Sequence, residues 1–189
     1  MILSDSEILA AIEKGEIYIE PFRREALGSN SYDVHLGKYL RVYGTYALDA
    51  RRYHASSLIQ IPPQGLYLVP GVLYLGVTEE YTESHCYVPF LEGKSSVGRL
   101  GIQIHATASK GDVGFCNHWT LEISVVQPVK VYAGMSIGQL IFFAVSGQVE
   151  QTYAQRSSAK YKQRDPLPVP SMYWKHFTHP YEDTFSYRQ

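Results

Sequence analysis

The stretch GDVGFCNHWTLE, residues 111–122, gathers Asp112, Cys116, His118 and Glu122. Three chemistries compete for such residues: a metal held by thiolate, imidazole and carboxylate; a thiolate paired with an imidazole; and a carboxylate that moves protons. Catalytic zinc needs three protein ligands, and the ligand pairs that signal it are closely spaced. The chain has 2 cysteines, Cys86 and Cys116, thirty positions apart with no C-x-x-C, so spacing gives zinc no support. If residues 116–124 form a strand, Cys116, His118, Thr120, Glu122 and Ser124 share one face. Asn117, Trp119, Leu121, Ile123 and Val125 take the other, which is core-like from Trp119 onward. A thiolate–imidazole pair is within reach on the first face, but a single cysteine in a β protein is more often a small buried hydrophobe. Glu122 is then the odd residue. It reads either as an exposed or ion-paired surface group or as a proton carrier set in apolar surroundings.

Upstream, LEGKSSVGRLGIQIHATAS places Lys94, Ser95, Ser96 and Arg99 around a turn with Gly93 and Gly98. Hydroxyls, backbone N–H groups and a guanidinium are what a polyphosphate or an oriented water requires. An ordinary polar turn has the same composition, so the run is informative only in company.

The elements that must position these groups are mostly strands. Ser4 with Glu7 forms a capping-box pattern, Ile8, Leu9 and Ile12 share a face, and Gly15 closes a short N-terminal helix. YLRVYGTYAL, GLYLVPG, VLYLGVTEEY, HCYVPFLEG, LGIQIHATAS, HWTLEISVVQP, VKVYAGM and IGQLIFFAVSG are short, rich in β-branched and aromatic residues, and punctuated by Gly and Pro. That spacing predicts a sandwich or barrel rather than βαβ units. One domain is expected over 1–189, with a helix in 1–15, a β core over 16–148 and a tail over 149–189. The tail, QTYAQRSSAKYKQRDPLPVPS, is basic and then proline-rich. It is either a loose end or a flap carrying Tyr153, Arg156, Lys160, Tyr161, Lys162 and Arg164 toward an anion. The aromatic segment after it, MYWKHFTHPYEDTFSYRQ, is expected to pack on the body or on a neighbouring subunit.

The whole-chain numbers narrow the partners. With 189 residues, 17 Lys+Arg and 18 Asp+Glu, the formal charge is −1, so no basic field exists to hold nucleic acid. Two cysteines make no disulfide framework. The N-terminus lacks a basic n-region, and no apolar run reaches the ~20 residues of a membrane span. A cytoplasmic protein without membrane or nucleic-acid partners is the expectation.

Taken in order, GEIYIEPF (15–22), SNSYDVHLG (29–37), LYLVPGVLYLGVTEE (66–80), EGKSSVGRLGIQIHATA (92–108), DVGF (112–115), TLE (120–122), AGMSIGQLIF (133–142) and TYAQRSSAKYKQ (152–163) resemble the dCTP deaminase family of the trimeric dUTPase-like superfamily. The resemblance implies a mainly β, distorted β-barrel or jelly-roll-like fold, a homotrimer, and active sites shared between subunits. It also implies zinc-independent hydrolysis of dCTP to dUTP and ammonia, with Mg²⁺ carried by the triphosphate and no metal ligand from the protein. Position by position, the catalytic carboxylate falls on Glu122, and the S-S-x-x-R segment on Ser95, Ser96 and Arg99, with Val97 and Gly98 between them and Lys94 before. The sugar-binding aspartate falls on Asp112, while backbone carbonyls near Ala108, in a small-residue segment, are expected to accept from the 4-amino group, with Thr120 and Leu121 as further substrate contacts. Gln139, Tyr153, Lys160 and Gln163 complete the set. Zinc nucleoside deaminases instead carry H-x-E…P-C-x-x-C, which is absent here.

The residues agree with that chemistry. Attack on C4 of cytosine needs an activated water, a proton for N3 and expulsion of ammonia, and one carboxylate can carry the proton both ways. Ser95 would orient the water and Arg99 would hold Glu122 or balance developing charge. Some positions depart from the family pattern. D-P-G-F becomes Asp112-Val113-Gly114-Phe115, Asn117 replaces a glycine, Lys110-Gly111 replaces an apolar pair, and Gln163 arrives one place early, with Arg164 next to it. Three readings follow: deamination releasing dUTP; a bifunctional enzyme that also cleaves the triphosphate to dUMP and pyrophosphate; and a dUTPase-like nucleotide-binding trimer. Ser109-Lys110 tilts the sequence toward the first.

Overall fold

A computed structural model describes residues 1–177. Helix α1 (Asp5–Glu13) starts at Ser4, whose hydroxyl accepts the Glu7 N–H at 3.4 Å. It ends at Lys14, and the next residue, Gly15, takes φ +71°, a value costly for residues with a Cβ. Ile8 and Ala11 bury its inner face.

Eleven strands follow: β1 (Ile17–Glu20), β2 (Tyr32–His35), β3 (Tyr39–Tyr43), β4 (Ser56–Gln60), β5 (Leu66–Leu68), β6 (Tyr74–Ser84), β7 (Tyr87–Gly93), β8 (Ile102–Gln103), β9 (Phe115–Val125), β10 (Val129–Val131) and β11 (Ser136–Ala144). A one-turn helix, α2 (Ser95–Gly98), sits between β7 and β8. The largest sheet runs β4-β3-β6-β9-β8, with β1 also on β6; β2-β11-β7 form a second, and β10-β5 a third. Their inner faces share one core that includes Tyr32, Leu36, Leu40, Trp119, Leu121, Ile123, Leu140 and Phe142. The fold is mainly β, in the distorted barrel-like arrangement expected. The sequence reading did not find β1, β2 and β4, and it extended the β8 segment too far, since only Ile102 and Gln103 pair there.

Two features shape the site. β9 alternates strictly: Asn117, Trp119, Leu121, Ile123 and Val125 are buried and the even-numbered residues are partly exposed. Its register with β6 jumps from Val77↔Thr120 to Tyr81↔His118. The bulge turns Glu80 fully inward, where it accepts from Arg23 Nη1 at 2.8 Å, from the His35 N–H at 2.8 Å and from His35 Nδ1 at 2.6 Å. A buried carboxylate is tolerable because all of these donors converge on it.

The tail is not loose. Buried Asn117 donates through Nδ2 to the carbonyls of Tyr161 (3.2 Å) and Gln163 (2.8 Å), and its Oδ1 accepts the Asp165 N–H at 3.1 Å. Val169 N–H donates to Thr120 Oγ1 at 3.1 Å, and Arg41 Nε to the Pro168 carbonyl at 2.8 Å. Prolines with no N–H to satisfy suit a segment held by such isolated bonds. Beyond it, Trp174 meets Tyr53 edge-on and Arg51 lies over Phe177. The rest of the final aromatic segment lies outside the described residues.

Candidate functional site

Between the even-numbered face of β9, the 106–112 loop and the tail lies a cavity of about 660 Å³, within the range of small-ligand sites. Glu122 lines it together with Ala108, Asp112, Thr120, Tyr153 and Lys160. Six of the residues singled out from the sequence therefore meet in one place, although Ala108 and Lys160 are 52 positions apart in the chain. The Glu122 N–H donates to the Ile104 carbonyl at 2.8 Å, which ties the loop after β8 to the strand bearing the carboxylate. Gly111 lets that loop close: a Cβ there would come within 2.7 Å of the Trp119 ring, while its N–H donates to the Pro89 carbonyl at 2.8 Å.

Three cations, Lys110, Arg156 and Lys160, also line the cavity. Asp112 is bracketed by Arg156 Nη1 at 3.0 Å and Lys110 Nζ at 3.3 Å, and Lys160 Nζ lies 2.7 Å from His176 Nε2. Tyr153 packs edge-on to Phe115, and its hydroxyl accepts the Tyr161 N–H at 3.1 Å. Burial pushes the Tyr153 phenol above its ordinary range, so it stays a neutral hydrogen-bonding group. His118 also lines the cavity. Its Nδ1–H donates to the Thr78 carbonyl at 3.1 Å, and burial holds the imidazole below its ordinary value and hence neutral near pH 7.

Within the cavity, Thr120 spends its hydroxyl on the tail. The remaining residues singled out from the sequence lie elsewhere, and the side chain of Leu121 points into the core, fully buried. Gln163 is exposed and meets Asn117 only through its backbone carbonyl, while Arg164 stacks on Tyr81 at 4.0 Å and pairs with Glu20. Lys94, Ser95, Ser96, Val97, Gly98 and Arg99 do not line the cavity. Val97 is buried under α2, Lys94 pairs with Asp33, and Arg99 is exposed. Gln139 sits by that second cluster: its Oε1 accepts from Ser31 Oγ at 3.2 Å and its Nε2 donates to the Gly93 carbonyl at 3.5 Å.

Comparison with known proteins gives the family from two directions and the fold from a third. A family model described as dCTP deaminase-like matches residues 2–145. The chain is 45% identical over 177 residues to a "dCTP deaminase, dUMP-forming" of Cytophaga hutchinsonii, covering 94% of this chain and 99% of the relative. It is 43% identical over 177 residues to the protein of the same name in Leptospira biflexa, covering 94% and 98%. This chain belongs to the dCTP deaminase-like family. Among solved structures, the 2'-deoxycytidine 5'-triphosphate deaminase of Agrobacterium tumefaciens shares the fold with a TM-score of 0.60 and 23% identity, over 75% of this chain and 47% of that one.

In this dCTP deaminase-like chain, sequence reasoning passed over Arg156, which it placed in the flap without a partner, and Asn117, which it treated as a departure. Both are at the site because the tail folds back, and the cue for each was faint. A buried-face asparagine in a strand needs several hydrogen bonds, which a returning segment can supply. Phe115 and Trp119, also lining the cavity, have no signal beyond their aromaticity.

Proposed function

We propose that this protein deaminates dCTP and hydrolyses the resulting triphosphate, giving ammonia, pyrophosphate and dUMP. The observation that carries the proposal is Glu122, a strand carboxylate facing a nucleotide-sized cavity that Lys110, Arg156 and Lys160 also line. Water deprotonated by Glu122 adds to C4 of cytosine. That proton passes to N3, the hydroxyl proton of the tetrahedral C4 then passes by way of Glu122 to the amine, and the C4–N bond breaks as ammonia leaves. Backbone groups around Ala108 read the exocyclic amine, Asp112 accepts from the sugar hydroxyl, and the cations hold the phosphates. A second water then attacks the α-phosphorus and pyrophosphate departs. The relatives' shared name, dUMP-forming, favours this bifunctional reading over release of dUTP, the outcome toward which Ser109-Lys110 tilted the sequence.

The cavity is rich in cations, and its one aspartate is already paired with two of them. Such a site fits a Mg²⁺ that arrives on the triphosphate better than one held by protein carboxylates. One chain also lacks part of the site. Glu122 has no serine or guanidinium of the 94–99 turn beside it, while Arg99 is exposed and outside the cavity. A closed homotrimer in which each cavity receives Ser95 and Arg99 from a neighbour supplies what is missing. No helix among the described residues is long and apolar enough to cross a membrane, in keeping with action on a free nucleotide.

The test is incubation with dCTP and Mg²⁺, resolving dUTP, dUMP, pyrophosphate and ammonia. Ammonia with stoichiometric dUMP supports the reading, accumulation of dUTP restores the single-step alternative, and no ammonia sinks both. Glu122→Gln should lower turnover by about 10²–10⁴-fold while nucleotide still binds.

A further inference from the structure

Outside the cavity, one sheet face carries a second group of reactive side chains. Glu83 near the end of β6 and Cys116 near the start of β9 are directly paired across the strands. His85 lies two residues beyond Glu83, and its Nε2 is 2.8 Å from Glu83 Oε2. One ligand atom from each of Glu83, His85 and Cys116 falls within 4.8 Å of the others. None of the three lines the cavity, and the deamination described above uses none of them.

We propose that Glu83, His85 and Cys116 form a binding site for a divalent ion of the zinc class. The donors are one thiolate, one imidazole and one carboxylate, a set that favours Zn²⁺ over Mg²⁺ or Ca²⁺ and leaves a fourth tetrahedral position for water. The site is largely pre-built. The cross-strand pair fixes two ligands, and the His85 N–H donates to the Glu16 carbonyl at 2.9 Å, which anchors the turn. The Tyr81 hydroxyl donates to Glu83 Oε1 at 2.8 Å, which orients the carboxylate and leaves Oε2 to the ion. Metal–ligand bonds of about 2.0–2.3 Å put tetrahedral ligand atoms about 3.4–3.6 Å apart. The exposed His85 ring therefore backs away from Glu83 by roughly 0.7 Å as the ion enters and the thiol sulfur closes in. Coordination replaces the S–H bond of Cys116 with an S–metal bond and releases the proton to solvent.

The ion acts as a clip. Ser84, between two of its ligands, accepts the Gly114 N–H at 2.7 Å, so a bound metal braces the 112–115 segment that presents Asp112. It takes no part in the attack on cytosine.

The test uses the metal-stripped protein titrated with Co²⁺, followed by thiolate-to-metal charge-transfer absorption, then displaced by Zn²⁺. One Co²⁺ per chain with a thiolate band is expected, lost in Cys116→Ser and retained in Cys86→Ser. His85→Ala, at an exposed position, should weaken binding at least about tenfold and keeps the test decisive if Cys116→Ser folds poorly. Zn²⁺ should also raise the melting temperature of the parent protein but not of Cys116→Ser. Absence of the band, its persistence in Cys116→Ser, unchanged affinity in His85→Ala, or its loss in Cys86→Ser would each overturn the assignment.

Discussion

If each cavity draws Glu122 from one chain and Arg99 from another, two inactive variants must repair each other. Removing the proton carrier in Glu122→Gln costs about 10²–10⁴ in turnover. Removing a guanidinium that stabilises developing charge, in Arg99→Ala, costs about 10²–10³. Each variant alone therefore works at about 1% of the parent or below. In trimers reassembled at random from equal amounts of the two, a cavity is complete when the Arg99→Ala chain supplies Glu122 and the Glu122→Gln chain supplies Arg99. Each condition holds about half the time, so about a quarter of the cavities recover, well above either background. A second mixture sharpens the result. An equal mixture of parent and double-variant chains should show about a quarter of the activity of the same total amount of parent if the site is shared, and about half if it is not. The assay is steady-state ammonia release after reversible dissociation, with mixed trimers confirmed by co-purification of two tags. Mixed trimers without recovery in the first mixture, or half activity in the second, would place Arg99 and Glu122 in one chain's site and refute the proposed sharing.

Three further outcomes follow from the geometry. Asn117→Ala removes the bonds to Tyr161, Gln163 and Asp165 and should cost about 2–4 kcal/mol in urea unfolding. Early proteolytic cleavage within 155–165 should accompany the loss, because the tail loses its main anchor. Gly114→Ala sets a Cβ at φ +83° and 2.7 Å from Thr152 Cβ, so a loss of about 1–3 kcal/mol is expected, with a raised KM as Tyr153 shifts. For His118, burial lowers the folded-state pKa below the ordinary imidazole value of about 6.5, so the unfolded chain binds the proton first. The stability it protects is complete above about pH 6.5 and falls as pH drops from there toward the folded value. His118→Gln should flatten that part of the stability–pH curve, and an unchanged slope would rule out its burial as the cause.

Alternation made β9 legible in the sequence. Its buried residues, Asn117 through Val125, fall where period-two patterning puts them, and Glu122 consequently faces outward from an apolar strand. The helix was legible because Ser4 and Gly15 mark its ends by local chemistry. β1, β2 and β4 were not, since IYIE, YDVH and SSLIQ mix charged or polar residues into only four or five positions and show neither an apolar run nor a clear alternation. The sequence left the tail open between a loose end and a flap, and the structure folds it back so that Tyr153, Arg156 and Lys160 line the cavity. Its order comes from Asn117 and Thr120, residues far away in the chain, and no local signal reports that.

Residue types and their order were enough to identify the family and to single out Glu122 and the 94–99 turn as candidates, because the family's segments recur in a fixed order. Partnership was decided only in three dimensions. The sequence set Ser95, Arg99, Asp112 and Glu122 in one group, yet the sheets carry the 94–99 turn away from the Glu122 cavity while the tail brings Arg156 to Asp112. The opening Cys–His pair separated in the same way: His118 faces the cavity, and Cys116 faces Glu83 and His85. Strand pairing and a two-residue shift in register set which side chains meet, and both depend on contacts between distant segments that no short window of sequence contains.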